Sequence, residues 1–302
     1  MMDPLRFVEV GPRDGLQNER AVVPAERKAA FVDALSKSGL REIEAGAFVS
    51  PEAVPQMADS DEVFARLNRQ PGVLYSALVP NMRGLERALA AKAGKIAVFT
   101  AASETFNRKN IRASIAESIE RFRPVIRETK AAGLPLRAYV STAFFCPYEG
   151  RISPAQVLPV VESLLGLGID EISIGDTIGR ASPQDVRALL RALGATVEPE
   201  KIFLHFHDTY GMAIANALTA WREFAITGFD ASSGGLGGCP YAPGASGNVA
   251  MEDLVYAFAA EGGETGIDLN RLTEAAKSLE PVLKRPLASR LSKVNLDGGN
   301  ND

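Results

Sequence analysis

Short apolar runs alternate along the chain with longer amphipathic segments. The short runs have the length and composition of buried β-strands, and the longer segments repeat their apolar positions at helical spacing. The predicted strands are Arg6–Val10, Glu42–Ala45, Val73–Leu78, Lys95–Thr100, Leu136–Ser141, Glu171–Ile174, Ile202–His207 and Phe229–Ser232. The predicted helices are Pro24–Ser38, Ser60–Asn68, Met82–Ala93, Ser114–Ala132, Pro154–Leu167, Pro183–Leu193, Met212–Thr227, Val249–Glu261 and Leu269–Leu283.

Eight strand–helix alternations predict an α/β protein with one closed (β/α)8 TIM barrel and extra C-terminal helices. Ser153 and Ser182 each precede a proline, which is typical of an N-cap and the first helical position. An open doubly wound sheet would carry Gly-x-Gly-x-x-Gly after the first strand, and Gly11-Pro-Arg-Asp-Gly15 does not match. We predict a single catalytic domain, with the barrel at about 5–262, a helical extension at about 263–294 and a disordered tail at 295–302.

The composition is that of an ordinary globular protein, since 46% of the 302 residues are hydrophobic and 23% are charged. The net charge of −4 and the mixed signs along the chain argue against a nucleic-acid or membrane partner. Two cysteines do not form a disulfide framework, and no targeting segment precedes the first predicted strand. A cytoplasmic location is therefore expected.

Polar residues collect at the carboxyl ends of the predicted strands, where TIM-barrel active sites form. In strand order these residues are Arg13, Asp14, Glu44, Asp176, His205, His207, Cys239 and Asn248. The last two lie in a glycine-rich loop after the eighth strand, and such a loop can close over a site. The pattern therefore places the candidate chemistry on one rim of the barrel.

The chain has only two histidines, His205 and His207, and a β-strand would point both to the same face. Two neutral imidazoles can hold a divalent metal, although such a pair can also be purely structural. Oxygen donors on the same rim would complete a metal site, with Asp14 and Asn248 best placed and Asp176 and Glu44 as further candidates. This mixed donor set is compatible with Mg²⁺, Mn²⁺, Co²⁺ or Zn²⁺.

Asp208, Arg13 and Cys239 each have two interpretations, and Cys146 has one. Asp208 either faces away from the site along the strand or caps the next helix. Arg13 forms a salt bridge or stabilises a developing oxyanion. Cys239 is a small buried apolar residue or a thiol that moves a proton above the metal site. Cys146, in Cys-Pro-Tyr, is interpreted as a packing residue.

Several motifs together resemble those of the 3-hydroxy-3-methylglutaryl-CoA lyases, a family of metal-dependent TIM-barrel enzymes. The motifs are Val8-Glu-Val-Gly-Pro-Arg-Asp-Gly-Leu-Gln-Asn-Glu19, Phe48-Val-Ser-Pro51, Ser173-Ile-Gly-Asp-Thr-Ile-Gly179, His205-Phe-His-Asp-Thr-Tyr-Gly211 and the glycine-rich segment from Gly234 to Asn248. They follow the family's order and spacing from residue 8 to about 256.

The resemblance implies a role for each rim residue. Metal ligands would be Asp14, His205, His207 and Asn248. Arg13 would contact the thioester carbonyl, Cys239 would be the catalytic thiol, Glu44 and Asp176 would be supporting carboxylates, and Asp14 or His205 would take the substrate's proton. The implied reaction cleaves 3-hydroxy-3-methylglutaryl-CoA into acetyl-CoA and acetoacetate, as in leucine degradation and ketone body metabolism. It needs Mg²⁺ or Mn²⁺ and no organic cofactor beyond the CoA thioester, and a homodimer is expected by analogy.

Some positions depart from the family's usual pattern and put the acyl group in doubt. They are Ala47, Glu52 and Ala53, Arg112 and Ala113, Phe144 and Phe145, and Met251. The first alternative is the same cleavage of citramalyl-CoA or a longer branched glutaryl-CoA. A Claisen-type synthase is less favoured, because those enzymes usually read His-x-His-Asn-Asp and carry a further domain. An amidohydrolase would need more histidines, and a purely structural metal would leave no open ligand position.

Overall fold

The computed structural model describes residues 4–238 and 247–294, so the predicted disordered tail lies outside the described residues. Within them, eight parallel strands close into a barrel in the order β1-β8-β7-β6-β5-β4-β3-β2. The strands are β1 (Arg6–Glu9), β2 (Glu42–Ala47), β3 (Leu74–Leu78), β4 (Lys95–Ala101), β5 (Leu136–Ser141), β6 (Glu171–Asp176), β7 (Ile202–Phe206) and β8 (Gly228–Ala231). The prediction of a (β/α)8 barrel is confirmed.

Helices surround and follow the barrel. They are α1 (Ala25–Leu35), α2 (Ser60–Arg66), α3 (Met82–Ala90), α4 (Glu104–Ile111), α5 (Ile115–Ala131), α6 (Pro154–Gly166), α7 (Pro183–Leu193), α8 (Ala213–Phe224), α9 (Met251–Ala260), α10 (Leu269–Lys277) and α11 (Glu280–Leu283). Helix α7 has the predicted cap, because the N–H of Asp185 donates to Ser182 Oγ and the Asp185 carboxylate accepts from the N–H of Ser182. No helix in the described part of the chain is long and apolar enough to cross a membrane.

The prediction of one continuous helix over Leu269–Leu283 was wrong. Helix α10 ends at Lys277 and α11 begins at Glu280. Pro281 is the reason, because a proline inside a helix has no N–H to donate and its ring clashes with the carbonyl of the preceding turn. Helix α9 begins at Met251 instead of the predicted Val249. The N–H of Val249 donates to Phe206 O at 3.0 Å, and this bond keeps Val249 beside β7.

Two short elements were not predicted. Helix α4 begins after Ser103, whose Oγ accepts from the N–H of Phe106 at 3.0 Å. A short antiparallel hairpin, whose strands Phe145–Cys146 and Gly150–Arg151 have two residues each, follows β5. Both lie on the carboxyl side of the barrel, since each follows the end of a barrel strand.

Charged side chains line the amino end of the barrel. Lys95, the first residue of β4, donates to Glu42 and Glu171, the first residues of β2 and β6, at 2.7 Å each. All three are at least four-fifths buried. Buried charges are tolerated only when they are paired, so this cluster fixes the strands where the chain enters them.

The helices after the barrel support the glycine-rich segment at its carboxyl end. Helix α10 packs against α1 and against Ser233–Gly235. The N–H of Ala288 donates to Gly234 O at 3.0 Å, and a Cβ on Gly234 would lie 2.9 Å from the Leu287 side chain. The extra helices therefore hold the start of the loop that leads to Asn248.

Candidate metal centre and active site

Three of the predicted metal ligands converge on the carboxyl rim. His205 lies in β7, His207 follows it, and their ring centroids are 5.4 Å apart. Asp14 reaches them from the π-helical turn Gly11–Gly15, which directly follows β1. One ligand atom from each of these three side chains lies within 4.8 Å of the others. The alternation of β7 and the turn after β1 thus bring two imidazoles and one carboxylate to a single point.

Asn248 completes this group from the far side of the glycine-rich segment. It forms a β-bridge with His207. Its Nδ2 donates to Asp14 Oδ2 at 2.8 Å and to the carbonyl of Leu236 at 3.2 Å. A carbonyl oxygen only accepts, so this contact fixes the orientation of the amide and leaves Oδ1 as the atom able to bind a cation.

The unpartnered atoms of the site fit a divalent cation. His207 Nδ1 and Asn248 Oδ1 are both buried, and neither has a hydrogen-bond partner among the described residues. Leaving such atoms unpaired costs about 1–3 kcal/mol each. Two nitrogen and two oxygen donors are a set that Mg²⁺, Mn²⁺, Co²⁺ or Zn²⁺ accepts, and the cation would satisfy the orphaned atoms.

The charge state of the site also suits a cation. Burial acts to raise the pKa of Asp14, but Arg13 and the two histidines outweigh it and lower that pKa to about 2. Burial, with the nearby His205, lowers the pKa of His207 to about 4. At neutral pH the site therefore presents an ionised carboxylate and a neutral His207 imidazole with a free lone pair, which are the forms that bind metals.

Arg13 stands beside this group and is held on two sides. Its Nε donates to Glu44 Oε2 at 2.5 Å and its Nη1 to Asp14 Oδ1 at 2.6 Å. The guanidinium also lies over the ring of Tyr139, 5.2 Å from the centroid. Glu44 is completely buried, and burial raises its pKa while Arg13 opposes that shift. These contacts use two of the five guanidinium N–H donors, so an oriented cation faces the site with donors to spare.

Asp176 lies at the end of β6 on the same rim, but its carboxylate is bound to backbone. It accepts from the N–H groups of Arg180 and Ala181 at 3.0 and 2.9 Å. Burial raises its pKa to about 7. These contacts shape the turn between β6 and α7, which borders the site.

Two charged residues inside the barrel, Asp230 and Arg137, lie next to His205 and were not predicted from the sequence. The Oδ2 atom of Asp230 in β8 lies 3.3 Å from His205 Nδ1, and Arg137 in β5 donates to the other carboxylate oxygen. Both side chains are buried inside the barrel. The sequence signal for this pair was a charged residue of opposite sign within each of two predicted strands, because a protein core seldom contains an unpaired charge.

A model of the HMGL-like family matches residues 4–279. The chain belongs to the HMGL-like family. The matched residues cover the whole barrel and α10. The family assignment expected from the sequence motifs is confirmed.

Relatives within the HMGL-like family match nearly the whole chain. Mitochondrial hydroxymethylglutaryl-CoA lyase of Bos taurus is 48% identical over 96% of this chain and 89% of its own. The crystal structure of hydroxymethylglutaryl-CoA lyase from Pseudomonas aeruginosa has a TM-score of 0.94 and 46% identity, covering 97% of both chains. An HMG-CoA lyase from Acinetobacter baumannii, solved with coenzyme A and 3-methylmalate, has a TM-score of 0.92 and 40% identity over 99% of this chain and 96% of its own.

Cys239 of this HMGL-like chain lies outside the described residues, as do its neighbours up to residue 246. The segment that leads to it is described up to Gly238, whose carbonyl accepts from Asn18 Nδ2 at 3.2 Å. Asn18 follows the turn that carries Asp14, so the approach to the predicted thiol is attached to the metal-site turn.

Asp208 caps a helix in this member of the family. Its Oδ1 accepts from the N–H of Ala213, the first residue of α8, at 3.0 Å, and its Oδ2 accepts from Arg290 at 3.1 Å. Of the two interpretations of Asp208, the structure therefore supports the helix cap.

Two buried glutamates that were not predicted hold the backbone around the site. Glu9 accepts from the N–H of Gly11 at 2.7 Å and from the N–H of Ser233 at 3.0 Å. A Cβ on Gly11 would lie 2.6 Å from Glu9 Oε1, so a larger residue there would displace the Glu9 carboxylate. Glu252 accepts from the N–H of Gly234 at 2.9 Å. Burial raises the pKa of Glu9 to about 7 and that of Glu252 to about 8.

Replacing Glu252 by glutamine is expected to flatten the pH dependence of folding stability. The pKa of Glu252 is about 8 in the folded chain against an ordinary value of 4.5. The folded state therefore keeps a proton that the unfolded state has released, so the free energy of unfolding falls as pH rises between these values. The contribution is on the order of 3 kcal/mol. Urea unfolding at about pH 5 and about pH 8 measures it.

The matched control is Glu62→Gln on the exposed surface of α2, which should keep the parental pH dependence. Glu9 contributes in the same direction, so the Glu252→Gln variant should lose part of the slope. A variant whose stability falls with pH as steeply as the parent's would contradict the assignment.

Proposed function

We propose that the chain is a divalent-cation-dependent carbon–carbon lyase that cleaves 3-hydroxy-3-methylglutaryl-CoA into acetyl-CoA and acetoacetate. The observation that carries this proposal is the convergence of Asp14, His205, His207 and Asn248 on one point beside the buried guanidinium of Arg13. Relatives named for this activity match the chain over nearly its full length. The barrel and the helices after it act as one catalytic domain.

The cation is Mg²⁺ or Mn²⁺ in this proposal, with Co²⁺ or Zn²⁺ as alternatives. It would polarise the C3 hydroxyl and a carboxylate oxygen of the substrate and make that hydroxyl easier to deprotonate. The buried atoms His207 Nδ1 and Asn248 Oδ1 have no hydrogen-bond partner among the described residues and are therefore available as ligands. No organic cofactor beyond the CoA thioester is proposed.

Either His205 or Asp14 takes the proton of the C3 hydroxyl. We favour Asp14, and because its pKa of about 2 makes it a weak base, the cation would have to lower the pKa of the hydroxyl. The Asp14 carboxylate is ionised at neutral pH, and its Oδ2 lies 4.0 Å from His205 Nε2, on the side where the histidines converge. Once the proton has left, the C2–C3 bond breaks to give acetoacetate and a thioester enolate. A positioned base typically contributes about 10²–10⁴-fold to such a step.

Arg13 stabilises the enolate oxygen. Its bonds to Glu44 and Asp14 fix the plane of the guanidinium before substrate arrives, so no reorganisation is needed as the negative charge develops. Glu44 therefore acts by orienting Arg13. Cys239 is proposed to protonate the enolate carbon and release acetyl-CoA, and Asp176 to hold the bordering turn in shape.

The end of α4 is proposed to receive the CoA phosphates. Arg108 and Lys109 lie in its last turn on the carboxyl side of the barrel, and the side chain of Arg108 is exposed. Lys109 Nζ lies 4.0 Å from the centroid of the Tyr148 ring, which steadies its position. Two adjacent cations match the charge of a diphosphate, which would compete with Glu104 for Arg108, and a solvated surface pair is the alternative interpretation. A cytoplasmic location and a homodimer remain predictions.

A panel of thioesters tests the proposed activity. The protein is incubated with 3-hydroxy-3-methylglutaryl-CoA, citramalyl-CoA and a longer branched 3-hydroxyglutaryl-CoA, each with and without Mg²⁺ or Mn²⁺. We expect equal amounts of acetyl-CoA and acetoacetate from the first substrate, only with the cation. Faster cleavage of another member would favour the alternative acyl group, and absence of acetyl-CoA from all of them would overturn the lyase assignment.

A further inference from the structure

Asp230 lies directly beside His205 in the barrel wall. The two residues are paired in the register of β8 and β7. Asp230 Oδ2 is 3.3 Å from His205 Nδ1 and accepts from Ser173 Oγ at 2.6 Å, while its Oδ1 accepts from Arg137 Nη2. The side chains of Asp230, Arg137 and Ser173 are at most 2% exposed. A buried carboxylate is thus surrounded by donors on both oxygens.

This surrounding dictates how His205 carries its proton. The guanidinium can only donate, and the ionised carboxylate can only accept. The Nδ1 atom of His205 must therefore be the protonated nitrogen, because otherwise two acceptors would face each other. The Nε2 atom lies on the opposite side of the ring, 4.0 Å from Asp14 Oδ2, and is therefore the nitrogen on the side of the predicted metal ligands.

We infer that Asp230, held by Arg137 and Ser173, is a positioning residue that fixes the tautomer and ring orientation of His205 so that Nε2 faces the bound cation. A second hydrogen bond of this kind commonly sets the tautomer of a metal-binding histidine. The inference rests on the proposed function only in so far as the cation belongs to that function. It assigns no contact with substrate to Asp230, Arg137 or Ser173.

The position of these residues distinguishes them from an ion pair that merely stabilises the fold. The Lys95 cluster at the amino end of the barrel adjoins this group, because Arg137 Nη1 lies 3.8 Å from Glu171 Oε2. Lys95 itself contacts Glu42 and Glu171 and no histidine. His207 provides the opposite contrast, because its Nδ1 has no partner in the described part of the chain. The barrel interior therefore fixes one of the two imidazoles specifically.

The substitution Asp230→Asn should reverse the tautomer of His205. The asparagine amide has one accepting oxygen, and Arg137 would claim that oxygen because a cationic donor cannot face an NH₂ group favourably. The NH₂ group would then point at His205 Nδ1 and require that nitrogen to accept. The proton would move to Nε2, the nitrogen needed for the cation. The same substitution beneath a catalytic histidine has this effect in serine proteases.

Nitrogen NMR of histidine-labelled protein measures the tautomer without cation, substrate or turnover. The chain has only two histidines, so two imidazoles give the whole spectrum, and His207→Gln assigns them. At about pH 8.5 we expect the ring hydrogen of His205 on Nδ1 in the parent and on Nε2 in Asp230→Asn. A parent protonated on Nε2, or a variant with an unchanged tautomer, would overturn the inference even if the lyase activity is real.

Binding of Mn²⁺ alone provides the second measurement. We expect Asp230→Asn to raise the Kd for Mn²⁺ about 10–100-fold, and Ser173→Ala, which keeps the carboxylate, to raise it less. The matched control is Glu42→Gln, a carboxylate-to-amide change in the Lys95 cluster that should lower stability and leave the Kd unchanged. Equal effects of Glu42→Gln and Asp230→Asn on the Kd would reduce Asp230 to a structural role. If the parent binds no Mn²⁺ but shows the expected tautomers, the metal site of the proposed function fails while the hydrogen bonding assigned here stands.

Discussion

Replacing Arg13 by glutamine is expected to lower kcat about 10²–10³-fold while the protein remains folded. Glutamine removes the positive charge that faces the enolate oxygen, and removal of one such donor typically costs about 3–4 kcal/mol of transition-state stabilisation. The fold should survive, because burial already raises the pKa of Glu44 and allows this carboxyl to take up a proton once Arg13 is gone. Steady-state kinetics with matched circular dichroism measure both effects.

Two further variants separate charge from geometry at this position. Arg13→Lys retains the charge but loses the planar fork that binds Glu44 and Asp14 together, so it should recover only part of the lost turnover. Arg87→Gln, which removes a surface arginine paired with Asp61, should turn over like the parent. Near-normal kcat in Arg13→Gln would remove Arg13 from the mechanism.

Replacing Asp14 by asparagine is expected to reduce kcat about 10²–10⁴-fold and to weaken cation binding as well. Asp14 provides both the proton acceptor and the one anionic ligand of the proposed set. Its two oxygens accept hydrogen bonds from three donors, Arg13, Gln17 and Asn248. An amide would place its own NH₂ group against one of them, which adds a misfit to the lost charge. Kinetics and Mn²⁺ titration measure the two losses separately.

Asp208→Asn is the matched control for this prediction. Asp208 is the neighbour of His207 in sequence, but its carboxylate caps α8. The control should cost about 1 kcal/mol of stability or less, because an amide oxygen at position 208 can still accept from the N–H of Ala213, and should leave kcat and the Kd for Mn²⁺ within a few-fold of the parent. If Asp208→Asn were as damaging as Asp14→Asn, proximity to the histidines rather than ligation would explain both results.

The barrel could be predicted from local pattern, because each barrel strand is a short apolar run bounded by turn residues. Leu136–Ser141 was predicted with its observed limits, and β1 and β7 each end one residue earlier than predicted. The errors lie where longer-range contacts override local preference. Val249 pairs with β7 instead of starting a helix, and the polar helix α4 has too few apolar positions to show a helical period.

The candidate site was predicted unevenly for a similar reason. Strand ends of a barrel meet at one rim, so Asp14, His205, His207 and Asn248 could be grouped before their distances were known. The residues that hold them could not, since Asp230 and Glu252 are defined by partners far away in the chain. Their sequence signal is a buried charge, and its partner becomes known only when the strand register is known.

The cation that Asp14, His205, His207 and Asn248 would hold is proposed to enable carbon–carbon cleavage. The most direct measurement titrates Mn²⁺ into chelator-treated protein and records bound Mn²⁺ and acetoacetate formation from 3-hydroxy-3-methylglutaryl-CoA in the same samples. We predict that the rate rises in proportion to bound cation and saturates at one cation per chain. Full cleavage in the cation-free protein, or cation binding that leaves the rate unchanged, would contradict the account.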